Sequence, residues 1–282
     1  MRVLTFLARR FIAGEKGEDA IKAVQKLNLD GITATIDILG ENVSNKDEAI
    51  RAAEEYVSLL ELIKETGADS SVSLKLTQMG LDISLEFCVE NMKKILKKAK
   101  ETNNFVRIDM EGSPYTQKTL DIFQTVSNEY KNVGCAIQAY LFRSKDDIIR
   151  LNKMKAQVRL CKGAYKEPKT IAFKDKRGVN KNFVELTKML LTDGNYAAIA
   201  THDQKIIEAT KEFTRRDGID KDQFEFQMLY GIRRKSQKRL ANEGYNIRVY
   251  VPYGTHWLPY FIRRLRERKE NVFFVLKNLF RA

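Results

Sequence analysis

A short apolar or β-branched segment followed by a helical pattern recurs eight times, and this alternation is the strongest constraint on the fold. The strand-like segments are 31–39, 71–76, 105–110, 134–140, 158–161, 197–200, 224–227 and 248–251. Eight units in 282 residues give about 35 residues per unit, as a (βα)8 barrel requires. We therefore predict an α/β fold, a (βα)8 barrel of the TIM type.

The helical segments and loops agree with this prediction. Helices are predicted at 15–28, 46–66, 85–102, 116–130 and 146–155, and further helices follow the later strands. A doubly wound open sheet is the alternative fold, but the chain lacks a strand-anchored Gly-x-Gly-x-x-Gly or Gly-x-x-x-x-Gly-Lys loop. The longest irregular segment, 165–181, is predicted to be a functional loop. Without a linker-like stretch, 1–282 is predicted to be one domain, with 1–30 as a helical lead-in.

Composition limits the functional class. The net charge is +13, which suits nucleic acid, an anionic membrane surface, or an anionic cofactor or substrate. The basic residues are scattered over helical patterns, as on solvated faces. Three separated cysteines and no signal-like leader predict reduced thiols and a cytoplasmic location. Two histidines argue against a metal centre.

The fifth predicted strand ends in a distinctive way. The strand pattern that contains Arg159 ends at Gly163, and Tyr165 follows two residues after this glycine. This places a cation, an open backbone and an aromatic ring at one strand end. Taken alone, an ordinary strand-to-loop exit explains these residues better.

Polar residues recur at the other predicted strand ends. They are Asp37, Glu41, Lys75, Asp109, Glu111, Gln138, Arg159, Thr201, His202, Gln227 and Tyr250. Any one has a simple structural explanation: Lys75 could extend to solvent, and Asp109 could cap the next helix. Together they predict a site at the C-terminal face of the barrel, where carboxyl ends of strands converge.

The last predicted helix carries a pair of arginines. Pro259 suits its first turn, so Arg263 and Arg264 lie one turn in. With Lys75 they could form a carboxylate clamp, because guanidinium groups offer paired donors to a planar anion. An exposed basic helix with an Arg263–Glu267 surface pair explains the pattern equally well.

These motifs resemble those of the proline dehydrogenases, in particular the bacterial monofunctional enzymes. The matching stretches run nearly end to end: 39–41, 72–76, 108–111, 137–140, 159–165, 200–202, 224–227, 250–254 and 263–267. The resemblance implies a distorted (βα)8 barrel with its last helix over the mouth. It also implies non-covalent FAD and oxidation of L-proline to Δ1-pyrroline-5-carboxylate, the first step of proline catabolism, with electrons passed to a membrane quinone.

The resemblance also implies residue roles. Asp109 and Arg159 would be catalytic, with Arg159 donating near flavin N5 and Asp109 ordering the basic cluster. The implied proline-binding residues are Lys75, Tyr165, Tyr250, Arg263 and Arg264. The implied gate residues are Glu41 and Glu267. The implied flavin contacts are Met110, Gln138, Arg159, Lys162, Gly163, Ala164, Thr201 and His202. Lys174 and Lys176, in the loop expected to cover the adenosine end, are not assigned to the site.

Two alternatives stay open from sequence. A basic barrel that binds nucleic acid would explain the charge, although acids and Gln138 at strand ends argue against it. A related cyclic amino acid, such as hydroxyproline, could replace proline. Positive charge suggests peripheral contact with an anionic membrane at the inner face of the cell membrane. The oligomeric state is open.

Overall fold

Eight parallel strands close into a barrel in the computed structural model. The structure describes the backbone of residues 8–267 and the side chains of residues 8–264. The strands are β1 Thr33–Ile38, β2 Ser70–Leu74, β3 Val106–Ile108, β4 Val133–Gln138, β5 Gln157–Cys161, β6 Tyr196–Ala200, β7 Phe224–Leu229 and β8 Asn246–Tyr253. Each strand pairs with the next, and β8 pairs with β1. The predicted barrel is confirmed.

Helices alternate with the strands. They are α1 Gly17–Asn28 before β1, then α2 Lys46–Thr66, α3 Leu85–Glu101, α4 Ser113–Glu129, α5 Ser144–Lys153, α6 Lys176–Asp193, α7 Gln204–Arg216, α8 Arg234–Asn242 and α9 Trp257–Glu267. A 3-10 turn, Lys221–Gln223, precedes β7. Local chemistry sets the ends of α2: the Asn45 side chain accepts from two backbone N–H groups at its start, and Gly67 ends it at φ 61°.

The predicted irregular segment 165–181 is too long at its C-terminal end. Helix α6 begins at Lys176, because the Asp175 side chain accepts a hydrogen bond of 2.7 Å from Gly178 N and caps the first turn. Helix α4 likewise begins at Ser113, earlier than predicted, with Pro114 in its first turn. The irregular connection after β5 therefore spans 162–175.

The strands direct polar side chains into the barrel. Arg159 on β5 bonds Ser73 on β2 and Gln227 on β7, contacts between non-adjacent strands that only the interior allows. The intervening residues, such as Ile36, Val72 and Ile108, are fully buried in the main apolar core, which the helices cover. The period of two therefore separates a polar barrel interior from an apolar layer under the helices.

A second, smaller apolar cluster holds the last helix over the C-terminal mouth. Phe261 of α9 packs on Phe11, with ring centroids 6.1 Å apart, and on Trp257 at 6.0 Å. Leu39 after β1 and Ile232 after β7 complete this cluster. It fixes α9 against two strand ends, and it confirms the prediction that the last helix covers the mouth. None of the helices in residues 8–267 is long and apolar enough to cross a membrane.

Candidate active site

A cavity of about 830 Å³ opens at the C-terminal mouth of the barrel, beneath α9. Its volume is typical of cofactor and small-molecule sites. The predicted substrate and cofactor residues all line it: Lys75, Asp109, Met110, Gln138, Arg159, Lys162, Gly163, Ala164, Tyr165, Thr201, His202, Tyr250, Arg263 and Arg264. Of the polar strand-end residues, the barrel brings eight together at this cavity: Lys75, Asp109, Gln138, Arg159, Thr201, His202, Gln227 and Tyr250.

A buried charge cluster forms the floor of this cavity. Lys75 Nζ lies 2.8 Å from Asp37 Oδ1 and 3.7 Å from Asp109 Oδ2. Arg159 Nη1 pairs with Asp109 Oδ1 and donates to Ser73 Oγ at 3.1 Å. Two cations thus face two carboxylates, which lowers the cost of removing all four charges from water.

The two carboxyl groups of the cluster, Asp37 and Asp109, have pKa values shifted in opposite directions. Burial dominates at Asp37 and raises its pKa to about 6 despite Lys75. Asp109 is less deeply buried, with 14% of its side chain exposed, and the charges of Arg159 and Lys75 outweigh the effect of burial and hold its pKa below the usual value. Burial alone would lower the pKa of Lys75, yet Asp37 and Asp109 raise it. Lys75 is therefore a fixed cation and Asp109 a fixed anion at neutral pH.

Hydrogen bonds fix the orientation of the floor groups. Tyr250 donates from its hydroxyl to Asp109 Oδ2 at 2.9 Å, and the guanidinium of Arg159 lies 5.4 Å from the Tyr250 ring centre. Arg159 Nε donates to Gln227 Oε1 at 2.6 Å. With these partners, Arg159 and Asp109 are held in place before any ligand arrives.

Helix α9 supplies the roof. Arg263 Nη1 donates to Glu41 Oε1 at 2.6 Å and lies 6.0 Å from the Tyr165 ring centre. Arg264 is only 8% exposed and lies 5.0 Å from the Tyr260 ring centre. The exposed basic helix is therefore wrong for these two arginines. The side chain of Glu267 lies outside the described residues, so Glu41 is the described partner of Arg263.

The loop after β5 forms one wall. Gly163 adopts φ +108°, and a Cβ there would collide with the ring of Tyr140. Tyr140 donates to Glu167 at 3.2 Å, and Glu167 also accepts from Ser113 N at 2.7 Å. Buried Glu167 thus ties the loop to the start of α4 and to the end of β4.

Three of the four strand-end acids, Asp37, Glu41 and Glu111, do not line the cavity. Glu111 is buried and accepts from Thr77 N at 3.1 Å and from Thr77 Oγ1 at 2.6 Å, so it secures the loop after β2. Asp37 lies beside Lys75, away from the cavity wall. Each of these three acids pairs with a neighbouring residue instead: Asp37 with Lys75, Glu41 with Arg263 and Glu111 with Thr77.

Sequence reasoning missed several lining or supporting residues. Ser73 lies two positions before Lys75, so its face could be inferred from strand alternation. Asp203, which pairs with Lys162 at 3.0 Å, caps α7 and follows the predicted His202 directly. Lys176 and Arg233 also line the cavity, but no local pattern distinguishes them from surface cations.

The residues present fit a flavin. Arg159 Nη2 and Gln138 Oε1 are buried, and neither has a hydrogen-bond partner among the described residues, although both residues line the cavity. One free donor and one free acceptor suit a ring system with its own polar edge, since buried polar groups otherwise carry a desolvation cost. Lys162, Lys176 and Arg233 add positive charge that suits phosphate groups.

Comparison with known proteins gives a consistent result. The family model described as proline dehydrogenase matches residues 20–277. Proline dehydrogenase 1 of Bacillus subtilis strain 168 is 48% identical over 272 residues, covering 96% of this chain and 90% of the relative. The proline dehydrogenase of Deinococcus radiodurans is 42% identical over 281 residues, covering 98% and 91%.

Solved structures agree with the fold. The crystal structure of proline utilization A (PutA) from Bdellovibrio bacteriovorus, inactivated by N-propargylglycine, superposes with a TM-score of 0.87 at 27% identity. The match covers 93% of this chain and 32% of that protein, so the chain spans about a third of that PutA. From the family model and these relatives, the chain belongs to the proline dehydrogenase family, the oxidoreductases of proline catabolism that act on the CH–NH group of proline.

Proposed function

We propose that this protein is an FAD-dependent proline dehydrogenase that oxidises L-proline to Δ1-pyrroline-5-carboxylate and passes the electrons to a membrane quinone. The observation that carries the proposal is the placing of Lys75, Arg263 and Arg264 around one cavity with Tyr165 and Tyr250. A carboxylate clamp beside aromatic walls suits a small cyclic amino acid.

In this proposal the three cations hold the proline carboxylate. Arg263 and Arg264 offer paired donors from the roof, and Lys75, fixed by Asp37 and Asp109, offers a point charge from the floor. Tyr165 and Tyr250 pack against the ring of the substrate. Anchoring the carboxylate and the ring restricts the direction of the reacting C–H bond. Holding this bond in the right orientation lowers the barrier to its oxidation.

Arg159 and Asp109 are proposed to act on the flavin rather than on proline. FAD, when bound, supplies the acceptor for the hydride. Arg159 would direct its remaining donor, Nη2, at the N5 region and stabilise negative charge there, while Asp109 holds the guanidinium in place. The proposed flavin contacts are Met110, Gln138, Lys162, Gly163, Ala164, Thr201 and His202.

Glu41 and Glu267 are proposed as gate residues. The Glu41–Arg263 pair joins the loop after β1 to α9, so closing it would cover the substrate and exclude water. Each member is about one-fifth exposed, with side-chain exposures of 19% and 20%. A partly exposed pair can open at modest cost, as a gate requires.

The proposal extends to organisation and location. We treat 1–282 as one proline dehydrogenase domain, which the match over residues 20–277 supports. The net charge of +13 favours peripheral contact with the anionic inner face of the cell membrane, where a quinone is available. Sedimentation with vesicles of increasing anionic lipid content tests this: binding that ignores lipid charge would contradict it.

The test of the function combines cofactor identification with turnover. Acid release followed by mass spectrometry should identify FAD, and the holoenzyme should reduce a soluble quinone analogue with L-proline. Arg264→Met should lose proline turnover while keeping the flavin, and Arg51→Gln, an exposed change on α2, should behave as wild type. Faster turnover of hydroxyproline would redirect the substrate assignment, and release of FMN or no flavin would overturn the cofactor.

A further inference from the structure

A second cavity, of about 260 Å³, lies at the opposite end of the barrel interior. It is lined by the first residues of several strands and their neighbours: Ser71, Phe105, Arg107, Gln157, Arg159, Tyr196, Glu225, Gln227 and Arg248. The N-terminal end of such a barrel does not carry the catalytic loops. This cavity is therefore separate from the candidate active site, although Arg159 borders both.

Arg107 is a buried cation in this cavity without a carboxylate partner. It is 4% exposed, and its described hydrogen bond runs from Nη1 to Gln157 O at 2.5 Å. Within residues 8–264, no carboxylate lies within 4.0 Å of its guanidinium. The remaining N–H groups of the guanidinium are available to a ligand.

The site around Arg107 is shaped for its guanidinium. The group lies 4.8 Å from the Phe105 ring centre, which fixes its orientation. Gly134 lies beside it, and a Cβ at that position would collide with Nη1. The same Cβ would also collide with Gln157 O, the acceptor of the Arg107 hydrogen bond, so glycine at 134 leaves room for this pair.

The neighbouring acids are already paired. Glu225 accepts from Arg248 Nε at 2.9 Å and also from Gln227. Asp109 is paired with Arg159. Three arginines therefore share two carboxylates in this part of the barrel. Burial and the charge of Arg159 lower the pKa of Arg107 to about 9, and the nearby charge of Glu225 offsets only part of this effect. Arg107 therefore stays a cation at neutral pH.

We propose that this N-terminal cavity binds a small oxyanion or carboxylate on the guanidinium groups of Arg107 and Arg248. A buried charge is costly unless it is compensated, and guanidinium groups match planar or tetrahedral oxygen anions through paired donors. Arg248 Nε already donates to Glu225 and Nη1 donates to Ala34 O at 2.7 Å, so Arg248 would reach the anion through Nη2. The Arg248 side chain is 22% exposed, so an anion can reach the cavity from solvent. The anion would supply the missing negative charge.

The cavity is also connected to the active site. Arg248 bonds Glu225, Gln227 donates to Glu225, and Gln227 accepts from Arg159 at 2.6 Å. An anion bound in the N-terminal cavity would thus lower the positive potential at the guanidinium of Arg159, which also lines the candidate active site.

The first test is thermal unfolding of the flavin-loaded protein during titration with inorganic phosphate, with sodium chloride reduced to keep the ionic strength constant. The melting temperature should rise by roughly 3 °C per tenfold increase in phosphate beyond half-saturation. Formate should act similarly. Arg107→Gln should lose the response, whereas Arg51→Gln, exposed on α2, should keep it.

Phosphate binding at the upper carboxylate clamp would give a different pattern. The response would then survive in Arg107→Gln, and that outcome, like the absence of any response in the wild type, would overturn the proposal. Crystals of the wild-type protein soaked in selenate give a second measurement that does not depend on a variant. An anomalous peak within about 4 Å of Arg107 supports the site, and its absence refutes it.

Discussion

Replacing Lys75 by methionine should destabilise the fold as well as abolish proline binding. Lys75 is 6% exposed, and its ammonium lies 2.8 Å from Asp37, whose side chain is fully buried. Asp37 Oδ2 has no hydrogen-bond partner within the described residues. Lys75→Met would therefore leave an uncompensated buried carboxylate, a change that typically costs about 3–5 kcal/mol.

The loss of stability in Lys75→Met should depend on pH, because Asp37 changes its protonation state. Even with Lys75 present, burial raises the pKa of Asp37 from 3.8 to about 6, which corresponds to about 3 kcal/mol against the ionised form in the folded protein. This cost is absent below pH 3.8, develops between pH 3.8 and about pH 6, and is complete above it. Without Lys75 the pKa rises further, so the loss of stability should be larger at pH 8 than at pH 5.

Urea unfolding of the wild type, Lys75→Met and Lys75→Met/Asp37→Asn at both pH values measures the effect. The double variant removes both charges and should recover at least about 2 kcal/mol at pH 8, with little dependence on pH. Lys93→Met, which breaks the exposed Lys93–Glu129 pair, is the control and should change little. Equal stabilities of the single and double variants at pH 8 would refute the reasoning.

Three further predictions concern the cavity wall, the thiols and the gate. Gly163→Ala should lower bound flavin, measured by absorbance, because the new Cβ would collide with a tyrosine ring; full occupancy would contradict this. In the native apoprotein only Cys161 should react quickly with a thiol reagent, since burial raises the pKa of Cys88 and Cys135 to about 12; three fast thiols would refute it. Glu41→Gln should raise KM for proline by about tenfold with a smaller change in kcat, since Arg263 loses its carboxylate partner; an unchanged KM would exclude a gate.

The fold could be predicted because one regular pattern recurs along the whole chain. Eight strand-like segments at similar spacing admit few closed arrangements, and the predicted bounds of α2 match those observed. Helix ends that depend on a single side chain were harder to predict. The start of α6 depends on one hydrogen bond from Gly178 N to Asp175, and propensity alone did not separate it from the preceding loop.

The candidate site could be predicted where the chemistry follows strand ends. Lys75 and Asp109 directly follow β2 and β3, so convergence of the strands brought them together, and Arg159 reaches them from the middle of β5. The role of Asp37 beneath Lys75, and the unpaired charge of Arg107 at the other end of the barrel, depend on which cross-barrel partners each side chain finds. Those partners lie on strands far away in the sequence, so the local sequence around each residue does not predict them.

The most direct test of the proposed chemistry is the visible absorbance of the purified protein before and after anaerobic addition of L-proline. We predict flavin bands that bleach with L-proline, because the clamp, the aromatic walls and Arg159 would then be positioning a substrate for transfer to the flavin. Flavin bands that persist in the presence of L-proline, or a colourless protein that FAD does not reconstitute, would contradict the account.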